Sequence, residues 1–395
     1  MATPSSGSAA SPIDHPLALK GSGGDGPRFV ANGDGRNPVA IVGGGPAGMA
    51  CALALKLHGV NAEIFEARER AAVCQDARVL ALSDGARQIL DWLGVWSGLG
   101  ATPIGSIHIS QRGGFGRTRL RATEHDVKAL GWVLPASRLI PALDRAVTAA
   151  AIPYHDNARV GSEDTAAFLL TAIAEGAVAD GAGTVRDYRQ HAVLCTACVA
   201  APHRNVAWER FTNEGPLALL PLGESYAVVL VCADAALAGV MALDDAAFLA
   251  LLQQRFGTRH RFTAASPRTT YALGLRYRRH PVGPRQAWLG NAAQTLHPVA
   301  GQGFNLALRD IWELAQALSG AEDPGAPAVL AAYAQGRRAD RRGAIGFTDL
   351  LIDSFATDFP PLKHARGAGL LALDLLPPLR AFVAKRMIYG ARAWP

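Results

Sequence analysis

Residues 39–69 have the sequence VAIVGGGPAGMACALALKLHGVNAEIFEARE, in which a short apolar run, a glycine cluster and a helix-forming segment follow one another. The apolar run 39–42 suits a buried parallel strand. It leads into a G-x-G-x-x-G motif made by Gly43, Gly45 and Gly48. The first glycine allows a tight turn, the second lets a pyrophosphate approach the backbone, and the third lets the helix pack closely on the strand. The stretch therefore predicts a Rossmann-like βαβ unit that binds a dinucleotide.

The helix after these glycines and the strand after the helix complete the pattern. Pro46 suits a first helical turn, where its missing N–H costs nothing. Ala47 follows it in that turn and joins the candidate cofactor-binding residues. The helix N-terminus offers free N–H groups and a positive dipole end to phosphates. Glu66 closes the predicted second strand, where its carboxylate can accept hydrogen bonds from a ribose diol. The motif by itself does not separate FAD from NAD.

Composition bounds the remaining possibilities. The chain has 395 residues, enough for about two domains, with 49% hydrophobic and 18% charged residues and a net charge of +6. No dense basic stripe with interleaved aromatics is present, so we expect no nucleic-acid partner. Residues 1–37 are rich in Ser, Gly, Pro and Ala, which predicts a disordered tail without a signal-peptide pattern. No uncharged apolar stretch reaches the roughly 20 residues that span a bilayer, and we expect a cytoplasmic protein.

The cysteines indicate reduced thiols. There are five of them, an odd number, and no export signal is expected. Cys195 and Cys198, with His191 and His203 nearby, have a spacing that resembles a zinc site. The surrounding segment HAVLCTACVA is apolar and strand-like, and residues three apart in a strand point to opposite faces. We therefore predict a buried strand here and no metal.

Four further segments carry a family resemblance: residues 75–96 (QDARVLALSDGARQILDWLGVW), 178–200 (VADGAGTVRDYRQHAVLCTACVA), 209–222 (ERFTNEGPLALLPL) and 290–310 (GNAAQTLHPVAGQGFNLALRD). With the first motif they stand in the order found in single-component FAD monooxygenases. The chain resembles the flavin-dependent aromatic hydroxylases of ubiquinone biosynthesis from about residue 39 to its C-terminal end. Within that branch it is most similar to the 2-polyprenyl-6-methoxyphenol hydroxylases.

The resemblance implies FAD as cofactor and an activity. It implies hydroxylation of the aromatic ring of a polyprenylated phenol with NAD(P)H and O2, through a flavin 4a-hydroperoxide. After the glycine-rich tail, the chain has no second G-x-G-x-x-G that could hold a nicotinamide cofactor, which fits NADPH as a transient co-substrate. Two alternatives stay open at this point: a flavin reductase or dehydrogenase without oxygen transfer, and a flavin-binding accessory subunit of a quinone-biosynthesis complex. Homo-oligomerisation is a further expectation.

The resemblance also assigns cofactor-binding residues. It implies that Asp180 contacts FAD and helps to bind NADPH, whereas a simple Asp-Gly turn is the alternative. Arg78 and Arg138 are candidates to contact FAD, the latter by bidentate pairing with a phosphate. Asn291 stands where most relatives have Asp, and its amide can bond a ribityl hydroxyl. The glycine-rich loop before the last motif's helix is expected to run along the flavin ring, and its candidate contacts are Gly301, Gln302, Gly303 and Asn305.

Catalytic candidates are few. His297 and Pro298 lie in the same loop, and His297 has two interpretations, a group acting on the phenol proton or a brace for the loop. Gln294 replaces a His that is common in the wider family. The helix beginning near Phe304 should bury Leu308, Ile311, Ala315 and Leu318, and its positive end should face the ring of the reduced flavin.

The predicted fold class is α/β with α+β insertions: a Rossmann-like FAD-binding domain, an inserted β-sheet substrate domain and C-terminal helices. The C-terminal helices, interrupted at Pro377-Pro378, serve either as a cover or as a peripheral surface touching the inner membrane. The expected limits are 1–37 for the tail; 38–105, 130–195 and 270–330 for the FAD-binding domain; 106–129 and 196–269 for the substrate domain; and 331–395 for the C-terminal region.

Overall fold

The computed structural model describes residues 39–76, 78–161, 165, 167–297, 301–355 and 360–390. The predictions for the tail 1–37 and for Pro298 lie outside these residues. In chain order the strands and helices are β1 (Val39–Val42), α1 (Pro46–Leu57), β2 (Ala62–Phe65), α2 (Arg70–Val73), β3 (Val79–Ser83), α3 (Asp84–Trp92), β4 (Thr102–Ile104), β5 (Ser106–Gln111), β6 (Arg117–Arg121), β7 (Gly131–Pro135), α4 (Ala136–Ala149), β8 (Tyr154–His155), β9 (Leu170–Ile173), β10 (Thr184–Val199), β11 (Val206–Thr212), β12 (Gly215–Leu222), β13 (Ser225–Ala233), α5 (Asp234–Ala242), α6 (Asp245–Phe256), β14 (Phe262–Ala265), β15 (Thr269–Tyr277), β16 (Val282–Gly283), β17 (Gln286–Trp288), β18 (Gln294–Thr295), α7 (Gly303–Leu318), α8 (Pro327–Phe355), α9 (Pro360–Leu375) and α10 (Pro377–Tyr389).

The first sheet has the strand order β16-β17-β9-β1-β2-β8. Strand β1 pairs in parallel with β2 and β9, and β17 pairs in parallel with β9. All four residues of β1 are buried, as the apolar run predicted. Because these strands are parallel, their carboxyl ends meet at one edge, where ligands bind in open α/β sheets. The Rossmann-like prediction is confirmed.

The second sheet is larger and mainly antiparallel, with the order β18-β15-β10-β13-β12-β11-β5-β6 and β14 beside β10. Strand β10 is 16 residues long and β15 is 9 residues long. The expected domain limits at 195/196 and 269/270 fall inside or at the start of these strands. The division into two domains stays a prediction, and its limits fit the sheet better at the ends of β10 and β15.

The large sheet has two distinct faces. Its outer face, which includes Leu219 and Val228, is covered by α5 and α6, whose buried contacts are Val240 and, in α6, Phe248, Leu252 and Phe256. Its inner face includes Ala207, which packs with Ile104 and Val133 of a three-stranded sheet ordered β3-β7-β4. Since side chains alternate along strands, every residue of β11 can be placed on one of these two faces.

The last three helices, α8 to α10, form the C-terminal region of the chain. Helix α10 packs Ala384 and Ile388 against Leu120 and Leu130, so part of it is a cover, while other side chains of α9 and α10 are exposed. Helix α10 begins at Pro377, where the sequence predicted a break. Within the described residues no single helix has the length and apolar composition to cross a membrane. The pair His364–Leu375 and Pro377–Tyr389 meets both criteria together but is bent by 97°.

The cysteine segment forms part of β10, as predicted. Cys195 is buried and Cys198 is exposed, in keeping with opposite sides of a strand, and all five cysteines are free. In the part of the chain that the structure describes, no group of three or more His, Cys, Asp or Glu side chains is arranged to hold a metal ion.

Candidate functional site

The glycine loop between β1 and α1 has one open position. Gly43 has φ +107°, and a Cβ there would lie 2.6 Å from the Glu175 Cβ. A Cβ on Gly48 would overlap the carbonyl oxygen of Gly43. Gly45, the residue before α1, has φ −71°, and a Cβ there would meet no atom within 4 Å. Gly43 and Gly48 therefore lie in contact with other atoms of the protein. The space beside Gly45 is open, and this is where a pyrophosphate is expected.

Glu66 lies beside this loop with only 3% of its surface exposed. Its Oε2 accepts a hydrogen bond from the Gly44 N–H at 2.8 Å, and its Oε1 accepts one from Arg68 Nε at 2.8 Å. Burial opposes ionisation, but the hydrogen bonds from Arg68 and Gly44 outweigh it and lower the pKa of Glu66. The carboxylate is thus held ionised at the end of β2, the position from which it can accept hydrogen bonds from a ribose diol.

The late motif is brought to the same edge of the sheet. Strand β17 continues into Leu289, whose N–H bonds the Ile173 carbonyl at 2.8 Å. Gly290 follows with φ +55°, and a Cβ on it would lie 3.4 Å from the Ala47 Cβ. Asn291 is exposed in the turn that comes next. Residues separated by more than 240 positions in the sequence therefore lie around one helix start.

Helix α7 follows this turn and has the predicted buried face, because Leu308, Ile311, Ala315 and Leu318 are all fully buried. It begins at Gly303, one residue before the predicted start. Gly301 just before it has φ +59°. The first N–H groups of a helix lack intrahelical partners, so this end of α7 suits negative charge on a nearby group.

Two polar residues at the junction of this loop with α7 bond to the protein itself. Asn305 Nδ2 donates to the carbonyls of Ala81 and Gly301, and Asn305 Oδ1 accepts from the Ser83 N–H at 2.9 Å. Gln302 Nε2 donates to the Met387 carbonyl at 3.3 Å. Asn305 therefore joins the start of α7 to β3, and Gln302 joins the loop to α10, so both position the loop.

The two candidate arginines lie on different elements. Arg78 pairs with Asp76, with Nε 2.9 Å from the carboxylate, and is about half exposed. Arg138 lies in the first turn of α4, and its Nη1 donates to the Gly100 carbonyl at 3.1 Å. Contact of either residue with FAD stays a prediction.

Asp180 lies in an exposed turn between β9 and β10. Its carboxylate is 2.9 Å from Arg276 Nη1, and its side chain is 89% exposed. Gly181 beside it has φ +80°, which the turn requires. This geometry leaves the Asp180 carboxylate accessible to a co-substrate from solvent.

His297 is buried, with 1% of its surface exposed. Burial lowers its pKa to about 4, so the ring is neutral at physiological pH. It makes an edge-to-face contact with Tyr188 at 5.7 Å between ring centres. The Tyr188 hydroxyl donates to Asp349 Oδ1 at 2.7 Å, which links the loop to α8.

Gln294 belongs to a buried polar network that was not foreseen. Its Nε2 donates to Asp310 Oδ2 at 2.6 Å, and its Oε1 accepts from Arg341 Nε at 2.8 Å. Asp310 also pairs with Arg337 at 2.6 Å, and these side chains are 5% exposed or less. The amide suits this place because it donates to a carboxylate and accepts from a guanidinium at once. The network fastens α8 to α7 behind the loop.

A carboxyl group that the sequence reasoning left without a role lies on the inner face of the large sheet. Glu209 is on the same face as Ala207, two residues earlier in β11. Its Oε1 is sealed from solvent and has no hydrogen-bond partner among the described residues. Burial raises its pKa to about 8. The segment 209–222 carried the family resemblance, but only the strand register shows which way Glu209 faces.

Comparisons with known proteins agree with this geometry. A family model described as FAD binding domain matches residues 36–186 and 172–348. Ubiquinone hydroxylase UbiL of Rhodospirillum rubrum is 32% identical over 381 residues, covering 87% of each chain. The 3-demethoxyubiquinol 3-hydroxylase of Escherichia coli is 29% identical over 386 residues, covering 88% of this chain and 96% of that one.

Solved structures share the fold. Klebsiella pneumoniae HpxO (R204Q) complexed with FAD has a TM-score of 0.68 at 15% identity, covering 90% of this chain and 99% of its own. Pseudomonas aeruginosa PqsL in complex with 2-aminobenzoylacetate has a TM-score of 0.66 at 18% identity, covering 84% and 98%. With the open glycine loop and Glu66 in place, the chain belongs to the FAD-dependent hydroxylases of ubiquinone biosynthesis.

Proposed function

We propose that this oxidoreductase hydroxylates the aromatic ring of a polyprenylated phenol, with NAD(P)H as the reductant and O2 as the oxygen source. The observation that carries the choice of substrate is the inner face of the large sheet, which is apolar around one carboxyl group, Glu209. The assignment to the 2-polyprenyl-6-methoxyphenol hydroxylase branch stays a prediction within this proposal.

The wall around Glu209 supports an apolar ring with a hydrocarbon tail. Ala192, Val231 and Leu273 form a buried cluster on this face, and Leu194 and Val229 pack against it while partly exposed. Ala218 lies directly opposite Glu209 on the neighbouring strand. Such a surface excludes water from a bound ring and leaves the carboxyl group as the polar feature that orients it.

Glu209 is proposed to act on the phenol. In the ionised fraction of the enzyme, which grows as the pH approaches 8, the Glu209 carboxylate accepts the proton of the phenol O–H at Oε1 and becomes neutral, which leaves a phenolate whose ring carbons are more electron-rich. A raised pKa of about 8 brings this carboxyl group closer to the pKa of a phenol, and a better match favours proton transfer. The proton returns to solvent when the product leaves.

The residues described above fit FAD. The pyrophosphate would lie on the open side of the loop, beside Gly45 and the start of α1. Glu66 would accept hydrogen bonds from the ribose. When bound and reduced by NAD(P)H, FAD would activate O2 and supply the oxygen atom. The N-terminal end of α7 at Gly303 would stabilise negative charge on the ring. We propose Asp180 as a contact for transient NADPH.

His297 is proposed to brace the loop. A neutral ring with a pKa of about 4 is a weak acceptor for a phenol proton at physiological pH. Its contact with Tyr188, and the bond from Tyr188 to Asp349, suit a positioning role. We therefore propose that Glu209, and not His297, acts on the phenol proton.

We also propose that the protein works at the cytoplasmic surface of the inner membrane, since a polyprenyl tail partitions into lipid. Assembly with other quinone-biosynthesis enzymes, or with a second copy of the chain, stays a prediction.

The test is oxygen incorporation by the FAD-loaded protein. A short-chain prenylated phenol is supplied with NADPH and ¹⁸O2, and the product is analysed by mass spectrometry. We expect one labelled oxygen in the ring and a turnover lower by about 10²-fold or more in Glu209→Gln. NADPH oxidation without label would establish the reductase alternative, and flavin that NADPH cannot reduce would establish the accessory subunit.

A second experiment tests the pathway. Cells that lack the gene should accumulate a prenylated phenol, and an unchanged quinone pool would contradict a role in quinone synthesis.

A further inference from the structure

An arginine-rich pocket lies on the outer face of the large sheet, away from Glu209. A cavity of about 430 Å³ adjoins a second one of about 260 Å³. The two share His108, Arg117, Arg259 and Asp374 in their walls. The activity proposed above does not use this pocket.

The strand register brings its cations together. Ser110 in β5 lies opposite Arg117 of β6 on one side and Arg210 of β11 on the other. His108, two residues earlier, lies opposite Arg119. Because directly opposed residues share a face, these side chains project into one space. Arg259, from the turn after α6, completes the set with its Nη1 3.3 Å from His108 Nε2.

The charges in this pocket are weakly compensated. Within the described residues, none of Arg117, Arg119, Arg210 and Arg259 forms an ion pair with a carboxylate, and Asp374 is the acidic residue in the walls. Arg210 Nε is sealed without a hydrogen-bond partner. Burial and the neighbouring Arg259 lower the pKa of Arg210. A phosphate group, with several acceptor oxygens, would satisfy these donors and relieve their mutual repulsion.

The positive charge of these arginines also affects His108. Burial, then Arg259 and the β6 arginines, lower its pKa to about 4, so the ring is neutral. An arginine can only donate, and His108 Nε2 is therefore the acceptor from Arg259, which places the ring proton on Nδ1. That nitrogen is buried without a partner and adds one more donor.

The rim of the pocket is apolar on one side. Leu371 of α9 lines the larger cavity. From it a row of exposed apolar side chains continues over the bend between α9 and α10. Its members and their exposed fractions are Leu371 41%, Leu375 66%, Leu376 52% and Leu379 41%. Basic groups beside exposed leucines are what a lipid surface with anionic headgroups requires, whereas a soluble phosphate would use the cavity alone.

We propose that this pocket seats the phosphate of an anionic phospholipid headgroup while the leucines of the α9–α10 bend enter the acyl layer. The inference deepens the membrane contact proposed above and is independent of the flavin chemistry. Binding of free phosphate without lipid is the competing possibility that the experiment below distinguishes.

The experiment measures vesicle binding by the FAD-loaded full chain. Vesicles of phosphatidylcholine are compared with vesicles that also contain phosphatidylglycerol. The pocket variant Arg117→Gln/Arg259→Gln is matched by Arg145→Gln/Arg338→Gln, which removes two exposed charges elsewhere. We expect the wild type to prefer the anionic vesicles, the pocket variant to bind them about 30-fold more weakly, and the control to stay close to wild type. Thermal melting checks that each variant folds.

Three results would overturn the proposal. One is equal loss in the pocket and control variants, which would mean net charge alone. Another is equal binding to both vesicle types. The third is calorimetric binding of inorganic phosphate in the pocket without any preference for anionic vesicles, which would make it a soluble-anion site.

A second variant tests the exposed leucines at the bend between α9 and α10. Leu375→Ser/Leu376→Ser should lower binding to both kinds of vesicle, and normal flotation would refute insertion of the bend. The pocket variant should hydroxylate a short-chain phenol at the wild-type rate. Failure of the proposed hydroxylation would appear in that assay and leave vesicle binding unchanged, so the two failures can be told apart.

Discussion

Gly48 packs so closely on Gly43 that a Cβ on Gly48 would overlap the Gly43 carbonyl oxygen. Between these two glycines, a Cβ on Gly45 would meet no atom within 4 Å. The same motif thus contains a glycine that the fold requires and a glycine that the fold leaves unconstrained. If a pyrophosphate takes the open side, these two requirements can be separated by experiment.

The first prediction separates them by Gly→Ala substitution. Gly45→Ala should melt like the wild type, because φ −71° suits alanine, but bind FAD at least about tenfold more weakly, because the methyl group occupies the phosphate space. Gly48→Ala should lose both stability and flavin. Flavin fluorescence and thermal melting measure the two effects. Gly239→Ala, in an open helical position, is the control. Tight FAD binding by Gly45→Ala would refute the proposed pyrophosphate site.

The second prediction concerns the network behind the loop. Asp310→Asn leaves Arg337 and Arg341 buried without that charge, and breaking such a buried pair costs about 3–5 kcal/mol of unfolding free energy. Asp323→Asn is the matched control, because its pair with Arg285 lies on the surface and should scarcely affect stability. Urea unfolding measures both. Similar midpoints for the two variants would contradict a structural role for the network.

Local patterns predicted a large part of the fold. The strand 39–42, the glycine loop and the buried face of α7 follow from periodicity and backbone sterics, which act between near neighbours. The strand nature of the Cys195–Cys198 segment follows from the same rules. The family resemblance added the order of the motifs and thereby the inserted sheet.

Long-range partners could not be predicted in the same way. Asn305 stays a predicted cofactor contact, but its bonds to Ala81 and Ser83 of β3, more than 200 residues earlier, had no signal in the sequence. The inward direction of Glu209 depends on the register of β11, and a shift of one residue would reverse it. The expected limit at 195/196 falls inside β10, because a strand of 16 residues gives no composition signal where it passes from one region to the next.

The third prediction concerns His297. Its folded pKa of about 4 lies below the ordinary 6.5, so its contribution to stability is present above pH 6.5 and is lost as the pH falls toward 4. His297→Gln should therefore lose less stability than the wild type on acidification from about pH 7 to about pH 5. Exposed His280→Gln is the control. Turnover of His297→Gln should keep the wild-type pH profile, and loss of an inflection near neutrality would show that His297 titrates during catalysis.

The fourth prediction uses the opposite sign at Glu209. A carboxyl group whose folded pKa is raised from 4.5 to about 8 holds its proton in the folded state while the unfolded chain has released it. Its contribution to stability is full below pH 4.5 and declines as the pH rises to about 8, by at most about 1.4 kcal/mol per pH unit. Between about pH 6.5 and 8 the His297 contribution is constant, so this window isolates Glu209.

In that window the wild type should lose unfolding free energy with rising pH, by about 1–2 kcal/mol more than Glu209→Gln, whose side chain stays neutral. Urea midpoints at the two ends of the window give the comparison. Glu214→Gln, a substitution of the same type at a more exposed carboxyl group, should follow the wild-type slope. If Glu209→Gln instead runs parallel to the wild type, Glu209 ionises normally and cannot hold a phenol proton near neutral pH. The proton-acceptor role would then fall, although the fold and the flavin site would stand.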